Sequence, residues 1–231
     1  MDIIAVITAR GGSKRIPKKN IKEFCGKPII SYSIQAALEA DCFDKVMVST
    51  DDEEIKEIAE EYGAEVPFMR SIKTSNDYAT TAEVLLEVLA EYQRRKMEFQ
   101  TLCCIYPTAP FVNGKKLNEA MQILNEGDSD SVIPVVSFSY PPQRGFQVRD
   151  NRLLYQYPEY KTARSQDLEN IYHDAGQFYC MKVSRFKDSE QIVMENTAPY
   201  LVEELEVQDI DNFVDWELAE IKYKRMKEKM L

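Results

Sequence analysis

The stretch IIAVITARGGSKRIPKKN (residues 3–20) decides the fold. Ile3 to Thr8 is an almost unbroken apolar run, as expected of a strand buried on both faces. A glycine pair and a crowd of cations follow with no spacer. A buried strand that opens directly into a charged loop is the first unit of an open α/β sheet, where ligands bind outside the carboxyl ends of the strands. Working outward, the unit repeats. Pro28 can start a helix with Ile30, Ile34 and Leu38 on one face. Lys45 to Thr50 reads as a strand. Asp51-Asp52 then caps a helix whose core face is Ile55, Ile58, Ala59 and Tyr62, and Gly63 ends it. Val66 to Met69 reads as a short strand. Thr80 to Lys96 is helical, with Val84, Leu85, Val88, Leu89 and Tyr92 on one face. Thr101 to Tyr106, Ser131 to Phe138 and Gln177 to Val183 read as further strands, and Lys115 to Glu126 as a helix. A last helix carries the stripe Val214, Leu218 and Ile221. The expectation is an open, mostly parallel α/β sheet flanked by helices.

A chain of 231 residues with 44% hydrophobic and 29% charged residues suits one globular domain spanning 1–231. Residues 140–172 break the alternation. They are polar, rich in Pro, Tyr and Arg, and too long for a plain loop. Phe146, Leu153, Leu154, Tyr155 and Tyr157 need burial, so this segment is expected to be an inserted arm that packs on a second copy of the chain. No run approaches the length of a membrane span, and the first residues lack the basic start of a signal peptide. Five cysteines without a CxxC pair argue against a disulfide scaffold or structural zinc and for the cytoplasm.

Net charge is −10, which disfavours nucleic acid and anionic membranes as partners. Against that background, residues 9–28 hold seven basic side chains and one acid, a local +6. Such a loop after a buried strand is an anion site. Gly11-Gly12 lets backbone N–H groups approach an anion, the lysines neutralise it, and Arg10 can grip oxygens in a fork. Neither GxxxxGK[ST] nor GxGxxG is present, so this is neither a P-loop nor a dinucleotide fingerprint.

ARGGSKRIPKKNI, the FxGKPxIxYSIxAA stretch from Phe24 to Ala37, VSTDDEEI (48–55), GAEVPFMR (63–70), PTAP (107–110) and DID (209–211) together resemble the acylneuraminate cytidylyltransferases. The resemblance spans essentially the whole chain. It implies a Rossmann-like nucleotidyltransferase sheet and transfer of CMP from CTP to a nonulosonic (sialic-type) sugar acid, with Mg²⁺ as cofactor and a homodimer. It places the triphosphate on Arg10, Gly11, Gly12, Ser13, Lys14, Lys19 and Asn20, with Arg10, Lys14 and Lys19 catalytic. Arg70, Thr80 and Thr81 fall where that family contacts the nucleotide. Three positions depart from the sialic acid enzymes. Tyr106 stands where their strand commonly ends in Gln, and Arg15 where many have Gly. YHDAGQFY (172–179) replaces an Asn-Gly pattern. With RSQDL (164–168), that segment looks like the pseudaminic acid branch. Sugar contacts are therefore expected from Tyr106, Arg164, Gln166, Asp167, His173 and Gln177.

Asp209 and Asp211 point to one face if the segment is extended, and two hard oxygen ligands suit Mg²⁺ shared with phosphates. The competing role for Asp211 is helix capping. His173, the one histidine, is either a structural residue or a substrate contact. Other outcomes within the class are CMP-sialic or CMP-legionaminic acid synthesis. An octulosonate enzyme fits less well, because those run more directly from the basic loop into the GKP turn. Outside the class stands a catalytically silent nucleotide-binding module.

Overall fold

The computed structural model describes residues 2–229. Strand β1 (Ile3–Thr8) lies inside the sheet, and its alternate residues enter two cores. Ala5 and Ile7 face one, Ile4 and Val6 the other. After the cationic loop come a two-residue hairpin, β2 (Glu23–Phe24) and β3 (Lys27–Pro28), and then helix α1 (Ile30–Ala40). Pro28 therefore sits in β3 rather than starting the helix. Strand β4 (Lys45–Ser49), helix α2 (Glu53–Glu61), helix α3 (Thr81–Arg94) and strand β5 (Thr101–Ile105) follow. Asp52 caps α2 by accepting from the amides of Glu54 and Ile55, and Thr80 caps α3 in a reciprocal box with Glu83.

Helix α4 (Gly114–Glu126), strand β6 (Ser131–Ser137), a hairpin β7 (Phe146–Arg149) and β8 (Arg152–Tyr155), and strand β9 (Tyr172–Asp174) come next. They precede strand β10 (Phe178–Lys182), helix α5 (Val183–Ser189), strand β11 (Thr197–Leu201) and helix α6 (Phe213–Lys229). The sheet order is β11-β6-β10-β5-β1-β4, with β9 also pairing on β6. Strands β4, β1 and β5 run parallel, as do β6 and β11, while β10 is antiparallel to both β5 and β6. The carboxyl ends of β1, β4 and β5 thus meet the start of β10 at one end of the sheet. There the Tyr106 amide donates to the Gln177 carbonyl at 2.8 Å.

Helices α1, α2 and α4 bury their apolar residues in one core, and α3 and α5 in the other. Cys103 and Cys104 are fully buried, one in each core, and all five cysteines are free thiols. A third cluster joins Ile16, Phe24, Tyr32, Phe111, Ile210, Trp216 and Ala219. It ties the cationic loop to the segment before α6.

Three further sequence expectations change. Val66 to Met69 forms no strand; a single bridge from Met47 to Glu65 stands in its place. Leu38 is exposed at the end of α1, while Ile30 and Ile34 are buried. The stripe Val214, Leu218 and Ile221 faces outward, because α6 turns Trp216 and Ala219 inward, where the large indole meets Phe24. Residues 140–172 run from the end of β6 to the first residue of β9 and contain the β7–β8 hairpin, a separate two-stranded sheet whose Phe146, Val148, Leu153 and Leu154 remain exposed. No helix among the described residues is long and apolar enough to cross a membrane.

Candidate active site

The loop after β1 is closed by its own side chains. Asn20, buried, donates from Nδ2 to the Arg10 carbonyl at 2.8 Å. Ile16 is buried in the cluster that also holds Ile210, and Lys19 Nζ donates to the Ile210 carbonyl at 2.8 Å. The Gly11 amide donates to Asp51 Oδ1 at 3.0 Å, so an internal carboxylate already holds it. Gly11 is a glycine for want of room: a Cβ there would come within 2.5 Å of Asp52 Oδ2. Gly12 faces open space.

The loop borders a cavity of about 500 Å³ at the carboxyl end of the sheet. Arg10, Ser13, Lys14, Lys19, Asn20, Arg70, Thr81 and Tyr106 all reach it, and Arg15 joins them. Gly11, Gly12 and Thr80 do not line it; Thr80 is occupied by its capping box. Arg70 is buried against the end of β4, donating from Nε to Ser49 Oγ at 3.0 Å and from its terminal nitrogen to the Ser49 carbonyl at 2.5 Å. Burial lowers its pKa to about 10, so it remains a cation at neutral pH. Burial likewise lowers the Lys19 pKa, and the nearby Asp211 and Asp209 carboxylates oppose the change.

One acidic side chain among the described residues lines this cationic cavity, and no sequence pattern marked it. Asp77 takes Arg10 Nη1 on Oδ1 at 2.7 Å and Lys14 Nζ on Oδ2. Those two donors hold its carboxyl below the usual range. Asp77 belongs to a loop turned by Asn76, whose Oδ1 accepts from the amides of Tyr78 and Ala79.

Across Tyr106 and Thr108 lies a second cavity of about 670 Å³. It is walled by Tyr106, Ser139, His173, Asp174, Tyr179 and Lys222, among others, and Asp209 also lines it. The Tyr106 hydroxyl pairs with Thr81 Oγ1 at 3.2 Å, and its ring meets Tyr179 edge-on at 5.2 Å. His173 sits against Phe138 with its Nδ1 at 2.9 Å from the Asp174 carbonyl. Gln177 is buried and does not line the cavity. Its Nε2 donates to the Glu206 carbonyl at 2.5 Å, and its Oε1 has no partner among the described residues. Arg164, Gln166 and Asp167 lie between β8 and β9 and line neither cavity; Arg164 forks onto Asp167 at 2.7 and 3.1 Å. Sequence reasoning missed Asp77, Asp174, Tyr179 and Lys222. Asp174 was in view within YHDAGQFY, but only β9 pairing with β6 turns it to the cavity.

The two aspartates before α6 separate in role from the cap. Asn212 Oδ1 accepts from the amides of Val214 and Asp215, and Asp215 Oδ2 accepts from those of Asp211 and Asn212. Asn212 is therefore the cap, and Asp211 is not. Its Oδ1 instead pairs with Arg15 at 2.7 Å.

A cationic cradle at the carboxyl ends of parallel strands, adjoining a second polar cavity across Tyr106 and Thr108, suits a nucleotidyltransferase of the open α/β class. Residues 4–227 match the family model described as cytidylyltransferase, and the chain belongs to that family. A pseudaminic acid cytidylyltransferase of Campylobacter jejuni is 41% identical over 226 residues, covering 97% of each chain. A CMP-N,N'-diacetyllegionaminic acid synthase of Legionella pneumophila is 32% identical over 229 residues, covering 95% of each. Among solved structures, a CMP:2-keto-3-deoxy-manno-octonic acid synthetase aligns over 99% of this chain and 100% of its own with a TM-score of 0.71. At 18% identity it supports the fold alone.

Proposed function

We propose that the protein joins CTP and pseudaminic acid to give CMP-pseudaminic acid and diphosphate. The observation that carries this reading is the junction of the two cavities at Tyr106 and Thr108, one cationic and one polar. The relatives named above supply the sugar. The anomeric hydroxyl oxygen attacks the α-phosphorus and forms the new O–P bond. The bond to the β-phosphate oxygen breaks, diphosphate leaves, and the hydroxyl proton passes to solvent.

Arg10, Ser13, Lys14, Lys19 and Asn20 bind the triphosphate, with Arg70 and Thr81 on the nucleotide side. Gly11, Gly12 and Thr80 act through the loop and the α3 cap. Lys19 and Arg10 neutralise charge that builds on the phosphates, and catalysis rests on positioning and electrostatics. Tyr106 and His173 contact the sugar acid, and Gln177 supports the strand beside them. The protein acts as a homodimer in the cytoplasm, and the 140–172 arm carries Arg164, Gln166 and Asp167 to the partner's sugar cavity.

Asp209 and Asp211 are suited to hold Mg²⁺. Asp211 is spared from capping, and Mg²⁺ commonly takes one or two carboxylates and completes its shell with phosphates and water. When bound, the ion supplies charge neutralisation at the phosphates.

Diphosphate release measured with CTP and a panel of nonulosonic acids tests the reading. The expected result is the highest kcat/KM for pseudaminic acid. Preference for a legionaminic or neuraminic acid reassigns the sugar, and no release with any of them leaves only nucleotide binding.

A further inference from the structure

The sugar cavity contains a carboxylate that none of the roles above uses. Asp174 ends β9 and lines the cavity. Its Oδ1 accepts the Gly176 amide at 2.7 Å and its Oδ2 accepts the Tyr179 hydroxyl at 2.8 Å. No cation pairs with it among the described residues, although the cavity is to receive an acid. Gly176 can donate from this position because its backbone is left-handed, with φ +63°. Tyr179 is 3% exposed, and burial drives its ionisation far upward, so its hydroxyl stays a donor. The Asp174 carboxylate is thus fixed by two donors while each oxygen keeps a lone pair for a third party.

Charge decides which end of the substrate meets it. In a 2-keto sugar acid the carboxylate and the attacking anomeric hydroxyl share one carbon. The carboxylate must therefore face the nucleotide cavity, across Tyr106 and Thr108. The opposite end of the sugar carries the amide N–H and hydroxyl donors, and a relative acts on an N,N'-diacetyl sugar acid by name. An unneutralised carboxylate repels the acid end and accepts from the donor end.

We propose that Asp174 is a specificity-determining residue that accepts a hydrogen bond from an acetamido N–H or hydroxyl of the nonulosonic acid, held in place by Tyr179 as a positioning residue. This rests on the reading of the second cavity as the sugar site.

The test uses the full chain, CTP, Mg²⁺ and pseudaminic acid, with separate KM values for the two substrates. Asp174→Asn removes the charge but keeps the shape. It should raise the sugar KM roughly 10- to 100-fold, the range of a lost hydrogen bond to a charged group, and leave the CTP KM within about twofold. Tyr179→Phe keeps the ring against Tyr106 and should raise the sugar KM by a smaller factor at nearly unchanged kcat. An unchanged sugar KM in Asp174→Asn, or equal rises in both KM values, overturns the assignment. If the unaltered protein turns over no nonulosonic acid, the functional reading fails. Normal turnover with a flat Asp174 series removes this inference alone.

Discussion

Arg10 and Lys14 both donate to the Asp77 carboxylate, so two cations assigned to the triphosphate are paired within the chain. Asp77 is a partly exposed loop residue whose contacts are easily broken. A triphosphate of charge about −4 near neutral pH offers the same two cations more acceptors and more charge. Binding therefore has to displace Asp77, and that displacement is a cost set against affinity. Asp77→Asn should tighten CTP binding roughly fivefold without changing the melting temperature, a factor in the range of exposed ion pairs. Titration calorimetry with CTP checks this, and weaker binding would mean that Asp77 organises the site rather than competing for it. Lys19 differs, because it is half-buried and fixed on the Ile210 carbonyl near Asp209 and Asp211. Its loss removes a preorganised donor. Lys19→Ala should cut turnover by roughly 100- to 1000-fold in a diphosphate-release assay, the usual effect of deleting one such group. Near-normal turnover in that variant contradicts the assignment of the loop.

At the scale of elements, the start of α6 divides work between neighbouring residues. Asn212 satisfies the first free amides of the helix and Asp215 those of the two residues before it, which leaves the Asp211 side chain out of the cap. Asn212→Ala should lower stability by about 1 kcal/mol, the ordinary value of a cap, with little change in Mg²⁺ demand. Asp211→Asn should do the opposite: melting nearly unchanged, turnover strongly reduced, and a higher Mg²⁺ concentration at half-maximal rate. Matching Mg²⁺ curves for Asp211→Asn and the parent chain would place the metal elsewhere. The same comparison marks what the sequence could reveal. Strands β1, β4, β5 and β6 were legible because burial on both faces leaves continuous apolar runs. Helices α2 and α3 were legible because their caps and periods agree. Strand β11 carries Pro199 in TAPYL and shows no such run. The antiparallel insertion of β10 between β5 and β6 depends on long-range pairing that no local pattern encodes. The α6 stripe misled because three aliphatic residues at helical spacing look like a core face, while the helix buries Trp216 and Ala219 instead. The cationic side of the site was readable from charge density against an acidic chain. Asp77 and Asp174 were not, since each gains meaning only from what the fold sets opposite it.

For the whole molecule, the arm raises a problem that one chain does not solve. A two-stranded ribbon is marginal by itself, and β7–β8 exposes Phe146, Val148, Leu153 and Leu154. The same excursion carries Arg164, which reaches neither cavity of its own chain. A closed two-fold pair answers both facts, because it buries each ribbon and brings each Arg164 to the other subunit. Light scattering should give twice the 26.7 kDa chain mass at micromolar concentration, and a stable monomer would remove the pairing. Sharing of sites can be tested separately by mixing two inactive proteins. Lys19→Ala disables the nucleotide side of its own site, and Arg164→Ala disables the sugar side of its partner's. In a mixed pair, both lesions fall on one site and the other site is intact. If subunits exchange at random, half the pairs are mixed and each has one working site, so activity should recover to about a quarter of the unaltered protein's. If Arg164 serves its own subunit, every mixed pair has one lesion in each site, and mixing restores nothing.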